Sequence, residues 1–223
     1  GEVYNFLELR EELKSLGYNF FSKTDSEVVL NSIAHWGLDA IKRFKGMFAF
    51  AIWDKKDRVL HLCRDRYGIK PMYFYKNNKT LLFASESKAF LAHDSFKSEV
   101  SISGLMEYLT FQNFLSDKTM NKNVQTISPG TVVSINMSGI LKTVTYWDFK
   151  FKEEKLYTNV KTYEEEFNFL FENAVKKQLM SDVPLGSYLS GGIDSGLIVA
   201  VASKQIPSMS TFTVGFDLKS ANS

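Results

Sequence analysis

The sequence predicts an α/β protein in two parts: an antiparallel, layered α/β sandwich followed by the start of a parallel-sheet α/β domain. Over residues 47–84, strand-like apolar runs are separated by short polar turns, and hairpins this closely spaced require antiparallel pairing. Helical patterns precede and follow this stretch, so helices can cover the sheet. Over residues 185–216, an apolar run, a glycine loop, a helix and a second strand follow in the order of a βαβ unit, whose strands are parallel.

Two helices are predicted before the sheet. Asn5 and Glu8 have the spacing of a capping box, which predicts a helix that ends at the next glycine. Thr24 and Glu27 repeat this spacing and predict a second helix over residues 26–36. The other elements predicted here are short strands over residues 1–5 and 18–21 and a helical piece over residues 38–44.

The strands of the first part are predicted from apolar runs and the turns between them. Residues 47–53 are continuously apolar, which is typical of a strand covered on both faces. Polar residues at 54–57 and 76–79 predict hairpin turns. The predicted strands are 47–53, 58–63, 72–75 and 80–83, followed by a helix over 101–111 and a hairpin over 130–146 that turns at 137–139.

Residues 64–71 lie between the two predicted hairpins and contain two arginines, a glycine and a proline. We expect them to fix a loop through hydrogen bonds and an ion pair with Asp65. Glu86 and Lys88 are expected to give similar support or to line a passage between domains.

The second part is predicted to begin after a linker. Residues 149–159 are charged and aromatic without clear periodicity, whereas Thr162 to Glu165 have capping-box spacing before apolar residues that recur at helical intervals. A strand to Leu189, a helix to Lys204 and a strand over 210–216 follow. The predicted organisation is a first domain over residues 1–148, a linker over 149–160 and the beginning of a second domain over 161–223.

The loop between that strand and helix has the composition of an anion site. Backbone N–H groups and the helix dipole favour negative charge at a helix N-terminus. Ser190 and Ser195 add hydroxyl donors, and Gly191 and Gly192 let the backbone approach an oxyanion closely. The loop lacks the lysine of a Walker A sequence and the glycine spacing of a dinucleotide-binding loop.

Asp194 is the unusual residue of this loop, because a carboxylate beside phosphate is repulsive unless a cation lies between them. Mg²⁺ is bound by one or two carboxylates together with substrate phosphates, so the loop suits the pyrophosphate end of Mg·ATP. The alternative is a Ser/Gly turn in which Asp194 caps the helix. The loop alone leaves both interpretations open.

Composition excludes several classes of protein. With 44% hydrophobic and 23% charged residues, the chain is an ordinary globular protein, and a net charge of +2 gives no basis for binding nucleic acid or an anionic membrane. No apolar run is long enough to span a bilayer. A single cysteine, Cys63, excludes an internal disulfide framework and fits a reducing, cytoplasmic compartment.

Cys63 follows Leu60 and Leu62 in a strand pattern, so we expect a buried side chain rather than a nucleophile. The histidines at positions 35, 61 and 93 are expected at the surface, and they form no metal-ligand cluster in the sequence.

Several of these segments resemble known families. Ser-Gly-Gly-Ile-Asp-Ser at 190–195 resembles the pyrophosphate loop of N-type ATP pyrophosphatases, and residues 182–195 resemble asparagine synthetases. Gly-Glu-Val-Tyr-Asn at 1–5 resembles the end of a motif of class II glutamine amidotransferases. Gly196 departs from the family, which more often has Ser or Thr there. Further matches lie at 46–54, 64–71, 83–88 and 211–216.

The resemblance implies an α/β/β/α, Ntn-hydrolase-like glutaminase domain followed by the start of an ATP-pyrophosphatase domain. It also implies a glutamine-hydrolysing asparagine synthetase, a ligase that releases ammonia from glutamine. Mg·ATP would adenylate the side-chain carboxylate of aspartate, and ammonia would convert it to the amide, with AMP and pyrophosphate as products. The alternatives are a related amidotransferase for a sugar acid, a peptide or a β-lactam precursor, and a catalytically silent binding module.

The resemblance also assigns roles to residues. Gly1 would donate its backbone N–H to the oxyanion, and Glu2 and Asp25 would bind the α-ammonium of glutamine. From the residues alone, Glu2 is instead a surface charge at a strand end and Asp25 a helix cap. The residues expected to bind ATP and pyrophosphate are Leu189, Ser190, Gly191, Gly192, Asp194, Ser195 and Val214, with Mg²⁺ held by Asp194 through the pyrophosphate.

The family's nucleophile is an N-terminal cysteine, and we expect it upstream of Gly1, so this sequence is expected to be a fragment without glutaminase activity of its own. Glutamine, aspartate and ATP are the expected small-molecule partners, and the resemblance suggests a homodimer.

Overall fold

A computed structural model describes residues 1–139, 141–151 and 159–215 and divides the chain into two compact units, Gly1–Lys150 and Phe151–Ser223. Much of the predicted linker lies outside the described residues, so the proposed domain limits stay a prediction. Among the helices of the described ranges, none combines the length and apolar character needed to cross a bilayer.

The first unit contains nine strands and three α-helices within its described residues, together with two 3₁₀ helices, Gly37–Arg43 and Ser87–Ala92. The α-helices are α1 (Phe6–Ser15), α2 (Asp25–Trp36) and α3 (Ile102–Phe111). The strands are β1 (Glu2–Val3), β2 (Gly46–Met47), β3 (Ala49–Asp54), β4 (Val59–Arg64), β5 (Tyr73–Lys76), β6 (Leu81–Ala84), β7 (Val124–Thr126), β8 (Thr131–Asn136) and β9 (Leu141–Thr145).

All strand pairs of this unit are antiparallel, as the hairpin spacing predicts. A four-stranded sheet has the order β3-β4-β8-β9, and a three-stranded sheet has the order β6-β5-β7. Strands β1 and β2 form a separate pair with Glu2 opposite Met47.

The two larger sheets pack face to face, and helices cover the outer side of the four-stranded sheet. Alternation along β4 shows this arrangement, because Leu62 packs between the sheets whereas Cys63 packs beneath α1 and α2. In β3, Ala49 and Ala51 contact the apolar cluster between the two sheets, whereas Phe50 and Ile52 contact the cluster between the four-stranded sheet and the helices. The prediction of a strand covered on both faces is therefore confirmed.

The predicted strand over residues 47–53 is interrupted at Phe48. Its first residue, Met47, belongs to β2 and pairs with Glu2 of β1, while residues 49–53 belong to β3 in the large sheet. The chain therefore passes from one sheet to another at a single residue.

Two predictions near the N-terminus are wrong. Asn5 occupies the N-cap position of α1, but its side chain does not cap the helix and instead bonds Arg43 O at 3.0 Å and Lys45 N at 2.8 Å. Residues 18–21 form no strand, because the carboxylate of Glu27 accepts from the backbone N–H groups of Phe21 and Ser22. The predicted cap of α2 is confirmed, since Thr24 accepts from Glu27 N.

The second unit contains α4 (Val160–Gln178), β10 (Gly186–Tyr188), α5 (Ile193–Ser203) and β11 (Ser210–Phe212). Strands β10 and β11 are parallel with Gly186 opposite Ser210, which confirms the predicted βαβ unit. Helix α4 begins before the predicted capping box at Thr162, because the side chain of Asn159 accepts from Lys161 N at 2.9 Å. The predicted strand over residues 210–216 is too long, because β11 ends at Phe212 and residues 213–215 are not in a strand; residue 216 lies outside the described residues.

Candidate functional site

A cavity of about 380 Å³ in the first unit brings together two of the residues predicted to bind glutamine. It lies between β1, the start of α2 and β3, and Gly1 and Asp25 both line it. Glu2 is exposed on β1 beside Gly1 and is not among the lining residues. The full lining consists of Gly1, Val3, Asp25, Ser26, Val29, Leu30, Phe48, Ala49, Phe50, Ala51 and Ile52.

Gly1 is packed tightly against the backbone of the neighbouring strand. A Cβ atom at this position would lie 2.6 Å from Met47 O and 2.8 Å from Phe48 Cα. Side chains do not tolerate such distances to backbone atoms, so only glycine allows β1 to approach β2 this closely.

Asp25 is tied directly to the strand that carries Gly1 and Glu2. It is the first residue of α2, and its Oδ2 accepts a hydrogen bond from Val3 N at 2.9 Å. The start of α2 and β1 are therefore joined directly through the side chain of Asp25.

Arg10 supports this arrangement and was not found from the sequence. Its guanidinium is buried, donates to Ser22 O at 2.6 Å and Thr24 O at 2.8 Å, and lies 4.8 Å from the centre of the Phe20 ring. It therefore holds the loop immediately before Asp25. A single arginine on a helix gives no sequence signal for such a contact, because its partners are backbone carbonyls of another segment.

Cys63 is fully buried, and burial raises the pKa of its thiol to about 12. The prediction of a buried, unreactive cysteine is confirmed, since the thiolate is the nucleophilic form.

The surface prediction holds for His35 and His93 but is wrong for His61. His61 is half-buried with Nδ1 2.8 Å from Ser134 Oγ, and burial lowers its pKa against the opposing charges of Asp54 and Asp57. Within the described ranges, no group of three or more His, Cys, Asp or Glu side chains is placed to hold a metal ion.

The predicted phosphate loop of the second unit joins β10 to α5 and is held by its own serines. Ser190 Oγ lies 3.0 Å from Ser195 Oγ, which in turn donates to Gly192 O at 3.1 Å. Gly191 has a φ of +80°, a conformation that favours glycine. No atom lies within 4 Å of a Cβ built at Gly191, so the space beside this residue is open.

Asp194 does not act as the helix cap. The N-cap position is Gly192, which has no side chain, and Asp194 lies exposed in the first turn of α5. Among the described residues, the backbone N–H groups of Ile193 and Asp194 have no hydrogen-bond partner, so this helix start can still accept an anion.

Leu189 and Val214 lie at the carboxyl end of the parallel strand pair, next to the loop. Leu189 N donates to Phe212 O at 2.9 Å, and Leu189 O accepts from Thr213 Oγ1 at 2.6 Å. The backbone N–H and C=O of Leu189 are therefore both hydrogen-bonded. Val214 is 79% exposed.

Comparison with known proteins gives two family matches along the chain. The glutamine amidotransferase domain model matches residues 1–147, and the asparagine synthase model matches residues 166–223. The boundary between the matches lies close to the boundary between the two compact units.

Among curated proteins, asparagine synthetase [glutamine-hydrolyzing] 1 of Bacillus subtilis is 39% identical over 97% of this chain and 34% of its own length. Asparagine synthetase [glutamine-hydrolyzing] 3 of the same organism is 37% identical over 91% of this chain and 33% of its own length. A putative asparagine synthetase [glutamine-hydrolyzing] of Methanocaldococcus jannaschii is 33% identical and is covered over 42% of its length. The chain thus spans about a third of the length of the first two relatives and 42% of the third.

Proposed function

Since the chain belongs to the glutamine amidotransferase domain family, we propose that it forms the glutamine-binding part, and the beginning of the ATP-binding part, of a glutamine-hydrolysing asparagine synthetase. One observation carries the proposal. The hydrogen bond from Val3 N to Asp25 joins, at one cavity, the two segments that provide Gly1, Glu2 and Asp25.

The carboxylate of Asp25 at this cavity, together with that of Glu2 on the adjoining strand, binds the α-ammonium of glutamine, and Gly1 N–H stabilises the oxyanion that forms on the side-chain amide. A thiolate attacks that amide carbon, the amide nitrogen gains a proton and leaves as ammonia, and water hydrolyses the resulting thioester to glutamate and the free thiol. Cys63 cannot supply the thiolate because it is buried and protonated. The proposal therefore requires a nucleophile from a part of the whole protein outside this sequence.

At the loop of the second unit, Ser190, Gly191, Gly192 and Ser195 bind the pyrophosphate end of ATP through hydroxyl and backbone donors. The donor set fits Mg²⁺ held mainly by phosphate oxygens, because Asp194 is an exposed carboxylate without a neighbouring cluster of ligands in the described ranges. Asp194 would hold the ion, which neutralises phosphate charge. Leu189 and Val214 provide apolar contact to the nucleotide.

In the whole protein, the side-chain carboxylate of aspartate attacks the α-phosphate of ATP and displaces pyrophosphate. Ammonia then attacks the acyl carbon of the adenylated aspartate and displaces AMP, and the product is asparagine. Aspartate is proposed as the acceptor because the curated relatives are named asparagine synthetases.

The proposal is tested by aspartate-dependent exchange of labelled pyrophosphate into ATP in the full-length protein. We expect exchange that requires aspartate and is lost in Asp194→Asn. Exchange with a sugar acid or peptide carboxylate instead would keep the chemistry and change the substrate. Absence of exchange with every acid, in protein that binds glutamine, would favour a silent binding module.

A further inference from the structure

The carboxylate of Asp65 is 1% exposed and accepts four backbone hydrogen bonds. Three come from the loop that follows it: Oδ1 accepts from Tyr67 N at 3.1 Å and Ile69 N at 3.0 Å, and Oδ2 accepts from Lys70 N at 3.0 Å. These bonds close the loop, as the sequence predicts for this motif, although backbone N–H groups take the place of the expected ion pair. The fourth bond comes from Phe48 N, at 3.2 Å from Oδ2.

The bond to Phe48 serves a different part of the fold. Phe48 is the residue at which the chain leaves β2 and enters β3, and it lies between the two strand ladders. Asp65 forms hydrogen bonds with both backbone polar groups of Phe48, since Asp65 N also donates to Phe48 O at 2.8 Å. Asp65 thus fixes the backbone at the point of interruption.

Phe48 lies directly against Gly1. The 2.8 Å between Phe48 Cα and a Cβ built at Gly1 leaves no space between the two backbones, and both residues line the same cavity. A displacement of Phe48 would therefore displace the strand that carries Gly1 and Glu2.

The residue after Asp65 holds the other end of β2. Arg66 Nη1 donates to Phe44 O at 2.6 Å, and Nη2 donates to Lys42 O at 2.7 Å. Two consecutive side chains of one motif therefore fix the chain before and after the strand on which β1 lies.

We propose that Asp65 is a positioning residue of the glutamine site, assisted by Arg66, and that it holds β2 so that Gly1 N–H points to the developing oxyanion. Neither residue is among those lining the cavity, so each acts through β2 and Phe48. This inference rests on the proposed function.

The test compares two activities of the full-length protein: asparagine formation supported by glutamine and by free ammonia. In Asp65→Asn, the amide NH2 replaces one carboxylate oxygen and faces two backbone N–H groups in place of donating to an acceptor. This displaces Phe48 and Lys70 if it takes the position of Oδ2, or the loop at Tyr67 and Ile69 if it takes that of Oδ1, and either change weakens the hold of Asp65 on Phe48. We expect kcat of glutamine hydrolysis to fall about 10- to 100-fold, because small misplacements of a site cost rates of this order. KM for glutamine should change less, and ammonia-supported synthesis should be unchanged, because it does not use the first site.

Asp54→Asn is the matched control, since Asp54 Oδ1 also accepts two backbone N–H groups, from Lys56 and Asp57, but at a hairpin turn. It should preserve the ratio of glutamine- to ammonia-supported activity. Arg66→Gln is a milder second variant, because Arg66 is only partly buried, and it should lower the ratio in the same direction.

An unchanged ratio in both Asp65→Asn and Arg66→Gln would overturn the inference, as would an equal loss of both activities in the two variants, which would show a general effect on folding. If the unmodified protein makes asparagine from ammonia but hydrolyses no glutamine, the proposed function of the first unit fails and this inference fails with it. If the wild-type enzyme hydrolyses glutamine and both variants keep its ratio of glutamine- to ammonia-supported activity, the inference fails but the proposed function stands.

Discussion

The two carboxylate oxygens of Asp25 have different neighbours: one accepts from the backbone of β1, and the other lies beside a serine that lines the cavity. Oδ2 accepts from Val3 N at 2.9 Å, while Oδ1 is 3.3 Å from Ser26 Oγ at the edge of the cavity. The first contact can be kept by an amide oxygen, but the attraction to an ammonium group requires the charge. The structural and binding roles of this residue can therefore be separated by one substitution.

For Asp25→Asn in the full-length protein, we expect KM for glutamine to rise about 10- to 100-fold, because hydrogen bonds to charged groups contribute about 1.5–3 kcal/mol. The melting temperature should change little, since the amide oxygen still accepts from Val3 N. Steady-state kinetics of glutamine hydrolysis measure the effect. Ser26→Ala, which changes an uncharged residue lining the same cavity, is the control, and an Asp25→Asn enzyme with wild-type KM would contradict the assignment.

Cys63 predicts a pH dependence of stability. Its thiol has a pKa of about 12 in the folded chain against an ordinary value of 9.0. Between these values the unfolded chain loses the proton and the folded chain keeps it, so the free energy of unfolding falls as pH rises, by about 1.4 kcal/mol per pH unit. Urea unfolding at pH 8 and pH 10 should therefore show a larger loss in the wild type than in Cys63→Ala. Equal losses in the two proteins would contradict a buried thiol.

At the scale of elements, local signals predict local structure. Thr24 caps α2 as its spacing to Glu27 predicts, because the cap and its partner belong to the same turn. Asn5 has an equally good spacing, but its side chain is drawn to the backbone around Lys45, 40 residues away. The competing partner belongs to a distant segment, which the local sequence cannot indicate.

The same limit applies to the candidate site. Gly1, Asp25 and the serines of the phosphate loop belong to short motifs and could be named from the sequence. Arg10 was missed because its partners are carbonyls of another segment, and β7 was missed because three residues are too few to show a period.

The phosphate loop gives a prediction at this scale. Gly191 has a φ of +80°, which costs an L-residue about 1–2 kcal/mol, whereas Gly192 has a φ of −77°, which alanine adopts freely. Both positions have room for a Cβ. In the full-length protein, Gly191→Ala should weaken Mg·ATP binding about tenfold through the distorted loop, and Gly192→Ala should weaken it less. Isothermal titration measures both, and equal affinities for the two variants would contradict the loop geometry.

At the scale of the whole molecule, the division into layers could be predicted, but the order of the strands could not. Hairpin spacing predicts the pairs β3-β4, β5-β6 and β8-β9, each of which is observed. The pairing of β4 with β8 joins residues such as Leu62 and Val133 and is set by packing between sheets, for which single strands carry no signal.

The two units differ in how much of their apolar surface they bury, and this difference predicts how each behaves alone. The three buried clusters all lie in residues 1–150. In the described part of residues 151–223, Ala202 is the buried hydrophobic residue, and the 19-residue helix α4 buries none. Burial of apolar surface is the main favourable term in folding, so the described residues of the second unit provide less of this driving force than the first unit does.

We therefore expect residues 1–150, expressed alone, to unfold in one cooperative urea transition with a free energy within the usual range of about 5–15 kcal/mol. Residues 151–223 alone should show no cooperative transition and no fixed near-ultraviolet circular dichroism, because helices with exposed apolar faces need a partner surface to become stable. The 223-residue chain is the control, and its transition midpoint should equal that of residues 1–150. A sharp transition in residues 151–223 alone would show that its short parallel sheet and two helices are stable without further packing.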